Sequence, residues 1–289
     1  MTIMQQPKEK IAKEVEDRLE ICQLIHDTNT VFKNACNNVK PLALHLDPHA
    51  DLIEYSDIQI ISYLCHSSGI PLSLAIGGCE ANRDLQELAS LNAATIQVPC
   101  IESFFALNKF ITSYNKIYDV LEVPKRPKIT LVINTPGSFE CLDEILSSTA
   151  SSSFQTLLVD RNALASFSID DQAIVLMLDT LRNVEKASTI STGICGGISP
   201  LNVKKICNTF SPNYVCTKMF VADAAAFTDK HSASLLSALL ILEARVIDLV
   251  LRHRESMYSL MTKRRNSLVN YIQASVICQV IDQRMANHG

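Results

Sequence analysis

Several short segments of this 289-residue chain bring together residue types that could do chemistry, each directly after an apolar run. In His45-Leu46-Asp47-Pro48-His49, the His45-x-Asp47 spacing puts both side chains on one face of an extended chain. An imidazole and carboxylate set of this kind suits a metal ion. Against it, Pro48 bends the backbone, and a histidine in a polar loop usually carries no ligand. Glu102 lies among Ile101, Phe104 and Phe105. A carboxylate half-buried in apolar surroundings needs a partner or a shifted pKa, which makes Glu102 the foremost catalytic candidate. Asp160 and Arg161 supply a second acid and a guanidinium that could hold a substrate carboxylate in a bidentate pair, or simply bind a neighbouring acid.

Gly77-Gly78 and Gly196-Gly197 use four of only eight glycines. Paired glycines allow a tight turn or a close approach of backbone to ligand, so these four are the substrate-binding candidates. The second pair precedes a helix start whose N–H groups could receive an anion. Ordinary turn chemistry accounts for both pairs equally well. Glu80, Arg83 and Asp84 fall in the first turn after Gly78, where they suit the helix dipole and could pin the loop.

The elements that must carry these segments alternate. Strand-like runs cover 41–46, 71–76, 95–99, 128–134, 155–160, 189–195 and 213–221. Helical periodicity occupies 56–67, 80–91, 103–118, 139–148, 169–186 and 199–209, with helix starts read at Ser168 and at Ser199-Pro200. Strands separated by helices call for a parallel sheet with right-handed crossovers. So many units without a linker predict a closed α/β barrel of the (β/α) TIM type. The strand runs number seven, so the eighth is expected to hide in the N-terminal segment, or the barrel to be irregular. One domain is expected, with an amphipathic helix over 8–36 (Ile11, Val15, Leu19, Cys22, Ile25 on one face), a barrel core over 40–221 and helices over 222–285.

Composition narrows the function classes. With 47% hydrophobic and 19% charged residues the chain is globular rather than disordered. A net charge of −4 gives no general bias towards nucleic acid, and the cluster Arg252, His253, Arg254 with Lys263, Arg264 and Arg265 reads as a solvated helix face. The N-terminus has no apolar core typical of a secretion signal, and Leu235 to Leu251 is broken by Glu243, Arg245 and Asp248, so a cytoplasmic protein with no membrane span is expected. The ten cysteines show no Cys-x-x-Cys pair, which excludes the usual zinc spacing. The terminal helices and the apolar stripe Leu235–Leu251 favour a homo-oligomer.

Three motifs carry a resemblance. IGGCEANRDL (76–85), VPCIESFFALNKF (98–110) and GGISPLNVKKI (196–206), in this order, are similar to motifs of the 2-oxo-acid aldolase/citrate lyase β-subunit family, of the phosphoenolpyruvate/pyruvate barrel superfamily. The resemblance runs loosely from about residue 40 to 220. It implies a carbon–carbon lyase acting on a small 2-oxo acid or acyl thioester, with Mg²⁺ stabilising the enolate through a Glu and an Asp at two strand ends. The chain departs from that pattern, with Pro136 at the Glu position and Ala163 at the Asp position. Ala75 stands for a basic residue, Leu42–Leu44 replaces acidic positions, and Cys216-Thr217 stands where Thr-Arg is usual. Proline and alanine hold no hard cation, so the family's metal-dependent mechanism is not expected, and no metal ligand is assigned.

Three readings follow. The barrel is a scaffold that has lost the lyase activity and serves binding or assembly. Alternatively, it is an enzyme with a rebuilt site drawn from Glu102, Asp160, Arg161 and the His45/Asp47/His49 segment. In the third, the register is displaced and a true ligand lies close by, Glu140 and Asp160 being the nearest carboxylates. An enzyme predicts an open mouth lined by Glu102 and Arg161. A scaffold predicts a mouth filled by Pro136, Ala163 and residues 42–44.

Overall fold

The computed structural model describes residues 16, 19–28, 30, 42–51, 53–121, 125–147, 153–183, 190–251, 266 and 268. Eight strands close into a barrel in sequence order: β1 (Ala43–Leu46), β2 (Leu72–Ala75), β3 (Thr95–Val98), β4 (Lys128–Ile133), β5 (Thr156–Asp160), β6 (Ser191–Cys195), β7 (Tyr214–Cys216) and β8 (Phe220–Asp223). Neighbouring strands from β1 to β7 are parallel, as crossover helices require. Strands covered on both faces should read as continuous apolar runs. β2 is buried at all four positions, and β4 at every position after Lys128.

The eighth strand is not in the N-terminal segment. The run read as one strand over 213–221 is two strands, β7 and β8, which form a hairpin. β8 therefore runs antiparallel to β7 and also to β1, where it closes the ring through Ala43↔Val221 and Leu44↔Phe220. The barrel is α/β and TIM-type with one reversed strand. Three residues make the reversal: Thr217 N–H donates to Phe220 O (2.8 Å), and Phe220 N–H donates to Thr217 Oγ1 (3.0 Å). Met219 is buried, and its carbonyl accepts from His45 N–H at 2.7 Å.

Helices cover the outside. Residues 19–28 form α1; α2 (Pro48–Asp51) and α3 (Tyr55–Ser67) follow β1; α4 (Asn82–Ala89) and α5 (Phe104–Val120) follow β2 and β3. Next come α6 (Pro136–Glu140), α7 (Leu142–Ser147), α8 (Arg161–Ser166), α9 (Asp171–Asn183), α10 (Val203–Phe210) and α11 (Ser232–Leu251). Leu107, Phe110, Tyr114, Ile117 and Tyr118 give α5 a buried stripe at helical spacing, packed in the main core between sheet and helices. On α1 the buried residues are Ile21, Ile25 and Thr28; Leu19, expected on the packed face, is 64% exposed.

Two helix starts also differ from expectation. α9 is capped by Asp170, whose Oδ1 accepts from Ala173 N–H at 2.8 Å, while Ser168 sits outside with φ 65°. α10 begins only at Val203; Asn202 Oδ1 accepts from Ser199 N–H at 2.8 Å and ties the preceding turn. The apolar stripe of α11 is satisfied within the chain: Leu235, Leu236, Leu239, Leu240, Leu242, Val246 and Ile247 are all buried. No helix among the described residues is long and apolar enough to cross a membrane. The basic cluster at 252–265 lies outside the described residues.

Candidate functional site

Inward-facing residues alternate with those of the main core, so each parallel strand sends one side chain into the barrel near its C-terminal end. Val132, Leu158 and Cys216, with Cys195 and Val221 packed on them, form a separate small apolar cluster inside the ring. Polar groups of β1, β2 and β3 are paired with one another: Gln97 Nε2 donates to Ser73 Oγ at 3.3 Å, and His45 Nδ1 lies 3.4 Å from the same hydroxyl.

Above that cluster is an open cavity of about 470 Å³. Every parallel strand contributes to its lining, through His45, Ala75, Gln97, Val132, Leu158 with Asp160, Cys195 and Cys216. The loops add Asp47, Asn134, Gly196, Gly197, Thr217 and Lys218, the first turn of α8 adds Asn162, and Leu240 of α11 and Leu268 complete the wall. The cavity thus lies at the strand C-termini, where the βα loops of such barrels converge. Pro136, Ala163 and the 42–44 segment do not line it.

The reversed hairpin gives the mouth its cation. Thr217 is held by the turn and Met219 is buried, so Lys218 sits between two fixed neighbours and reaches the cavity. Its charge acts on groups of β1 and of β6. Burial pushes His45 down to about 4, opposed by the Asp47 carboxylate and assisted by Lys218. Burial holds the Cys195 thiol well above its ordinary range, with Asp160 and Cys216 adding to the effect and Lys218 opposing it. Burial pushes Cys216 up to about 12. At neutral pH the described lining therefore presents a neutral imidazole and two protonated thiols beside the Lys218 side chain. Sequence reasoning places Cys216-Thr217-Lys218 at the end of the seventh strand but assigns Lys218 no role.

The sequence candidates divide between cavity and surroundings. Asp160, Gly196 and Gly197 line the mouth. Asp160 Oδ1 also caps α8 by accepting from Ala163 N–H at 3.1 Å. Arg161 does not line it: Nε and Nη2 make a bidentate pair with Asp171 (3.0 and 2.7 Å), Nη1 donates to Gly196 O at 3.2 Å, and the guanidinium stacks 5.2 Å from the Phe210 ring centre. Arg161 thus holds the Gly196 loop from behind. Glu102, expected half-buried, is exposed and outside the lining. It lies against Gly137, where an added Cβ would come within 3.0 Å of the Glu102 carboxyl carbon.

Gly77 and Gly78 also lie outside the lining. Asp84 pins their loop, accepting from Gly77 N–H at 2.8 Å and from His49 Nε2 at 2.6 Å. The nearby Glu80 pairs with Lys109. His49 is thereby drawn towards Asp84 and away from a shared set with His45 and Asp47.

The donor set does not fit Mg²⁺. Among the described residues no group of three or more His, Cys, Asp or Glu side chains is placed to hold a metal ion. Asp160 has one oxygen committed to a helix cap, Pro136 opens α6 without a ligating atom, and an ammonium group shares the cavity with the two carboxylates. A hard divalent ion requires oxygen donors converging on one point.

No protein-family model matches the chain, and no curated protein gives a significant match. Among solved structures it is similar to an HpcH/HpaI aldolase/citrate lyase family protein from Burkholderia cenocepacia J2315, at 10% identity over 73% of this chain and 90% of that one, with TM-score 0.49. A citrate lyase from Burkholderia xenovorans LB400 is similar at 10% identity over 77% and 79%, with TM-score 0.45. KGPDC from Streptococcus mutans follows at 9% identity over 76% and 92%, with TM-score 0.44. The barrel assignment itself rests on the chain's own eight-strand closure.

Proposed function

We propose that the barrel mouth takes a small 2-oxo acid or acyl compound and makes or breaks the bond beside its carbonyl, without a divalent metal. The observation that carries this reading is the open cavity at the strand C-termini, with Lys218 as the cationic group among its lining residues. An oxo acid is an anion with a polarised carbonyl. It needs positive charge at its oxygens and room for the rest of the molecule, and the low-dielectric walls of Val132, Leu158 and Cys216 strengthen such a contact.

Gly196 and Gly197 bring backbone to the edge of the same space, and Asp47 and Asp160 offer carboxylates for proton transfer. The competing reading, a barrel that binds without turnover, draws on the commitment of Arg161 to Asp171 and on the outward position of Glu102.

Calorimetry with pyruvate and with oxaloacetate tests the proposal, in EDTA and then in Mg²⁺ or Mn²⁺. Binding in EDTA that the metals leave unchanged is the expected result. Binding that appears only with metal would place a metal site in the mouth after all. No binding under either condition would remove the oxo-acid reading.

A further inference from the structure

We propose that Lys218 is a covalent catalyst, its Nζ condensing with the carbonyl carbon of the bound oxo acid to form an imine. The inference rests on the reading of the mouth as an oxo-acid site, and it names the group that replaces the metal there. When a bond beside a carbonyl breaks, an electron pair is left on the adjacent carbon. Two common devices accept it: a metal ion on the carbonyl oxygen, or a protonated imine in place of the carbonyl. The donor set of this cavity does not fit the first. The second requires a lysine that reaches into the cavity, and the hairpin supplies one.

Placement is what singles Lys218 out. The Thr217–Met219 turn follows the C-terminal end of β7, which is parallel to β6, so it stands at the mouth, and β8 returns from it. The turn is closed by the Thr217 hydroxyl and anchored to β1 through Met219 O, so Lys218 is delivered from a fixed backbone. Other nucleophiles of the lining are poor: Cys195 and Cys216 are thiols that burial keeps protonated. His45 stays neutral in the same mouth.

The step balances with water alone. Lys218 gives up one proton and its nitrogen adds to the carbonyl carbon; the carbinolamine then loses water to give the protonated imine. Cleavage of the bond between the α- and β-carbons sends its electron pair through the α-carbon into the imine, leaving an enamine and releasing the outer fragment as carbon dioxide from a carboxylate, or as an aldehyde whose hydroxyl proton passes to a base. Protonation of the α-carbon and addition of water return the oxo acid and the lysine. Asp47 and Asp160 line the same cavity and can relay these protons.

The test is reductive trapping. The full chain in EDTA is incubated with pyruvate and sodium cyanoborohydride, digested and read by mass spectrometry. The expected product is one reduced pyruvate unit on Lys218, formed at least about tenfold faster than on exposed lysines such as Lys109 or Lys204. Lys218→Arg cannot form an imine, so it should lose the adduct at position 218 while the slow labelling of exposed lysines such as Lys109 and Lys204 is unchanged. Labelling spread evenly over surface lysines overturns the proposal. Pyruvate binding in calorimetry with no adduct at Lys218 also overturns it and leaves the oxo-acid reading intact. Absence of both binding and adduct removes both.

Discussion

An alanine at position 196 would place its Cβ 2.6 Å from Asn162 N and 2.8 Å from Asp160 Oδ1, at a backbone φ of +82°. Neither obstacle yields easily. The first is backbone nitrogen, and the second is a carboxylate already bound to Ala163 N–H. The left-handed conformation alone costs an L-residue about 1–2 kcal/mol. Gly196→Ala is therefore expected to destabilise the protein by at least about 2 kcal/mol, measured from urea midpoints, and to weaken pyruvate binding by displacing Asp160. An alanine variant as stable as the parent would show that the loop relaxes and that Asp160 is not held by it. The glycine pair was legible in the sequence as a point of close approach. What the sequence did not reveal is that the neighbour approached is the Asp160–Asn162 turn. Arg161 misled for a related reason: a guanidinium beside an acid at a strand end suits a substrate carboxylate, yet its matching partner is Asp171, ten positions on.

Elements were more legible than partners. Continuous apolar runs located β1 to β6 within about two residues, because a strand covered on both faces has few other ways to be written. The β7–β8 hairpin escaped because Asn213 to Val221 contains no glycine or proline, and turn recognition leans on those residues. The reversal depends instead on Thr217, whose hydroxyl accepts the Phe220 N–H that a glycine-type turn would satisfy with backbone. Lys218 lies in the same run, and its place at the strand end is legible, but the turn that fixes it there is not. Thr217→Val keeps the shape and removes that acceptor, which should cost about 1 kcal/mol and loosen the hairpin. Pyruvate binding is expected to weaken several-fold through the displaced Lys218. If stability falls while binding is unchanged, the Thr217 hydroxyl serves the closure of the barrel and not the placement of the lysine.

At the scale of the whole molecule, the ring is unevenly closed. β5 and β6 pair from Thr156↔Ser191 through Asp160↔Cys195, whereas β1 and β8 are joined only at Ala43↔Val221 and Leu44↔Phe220. His45 stands next to that seam. Its backbone N–H holds Met219 O, and its half-buried ring lines the mouth, where desolvation pushes it down to about 4 from the ordinary 6.5. Between those two values the unfolded state binds more protons than the folded state, so stability must rise with pH. The contribution is complete above about 6.5 and is lost as pH falls towards 4, where protonation would put an imidazolium next to Lys218. At pH 5 the loss attributable to His45 is about 2 kcal/mol. His45→Gln removes the titration, so the difference in unfolding free energy between pH 7.5 and pH 5 should be smaller in the variant by that amount. Equal losses in both proteins would mean that His45 already has access to water in the folded state, and that acid weakens the barrel at some other point.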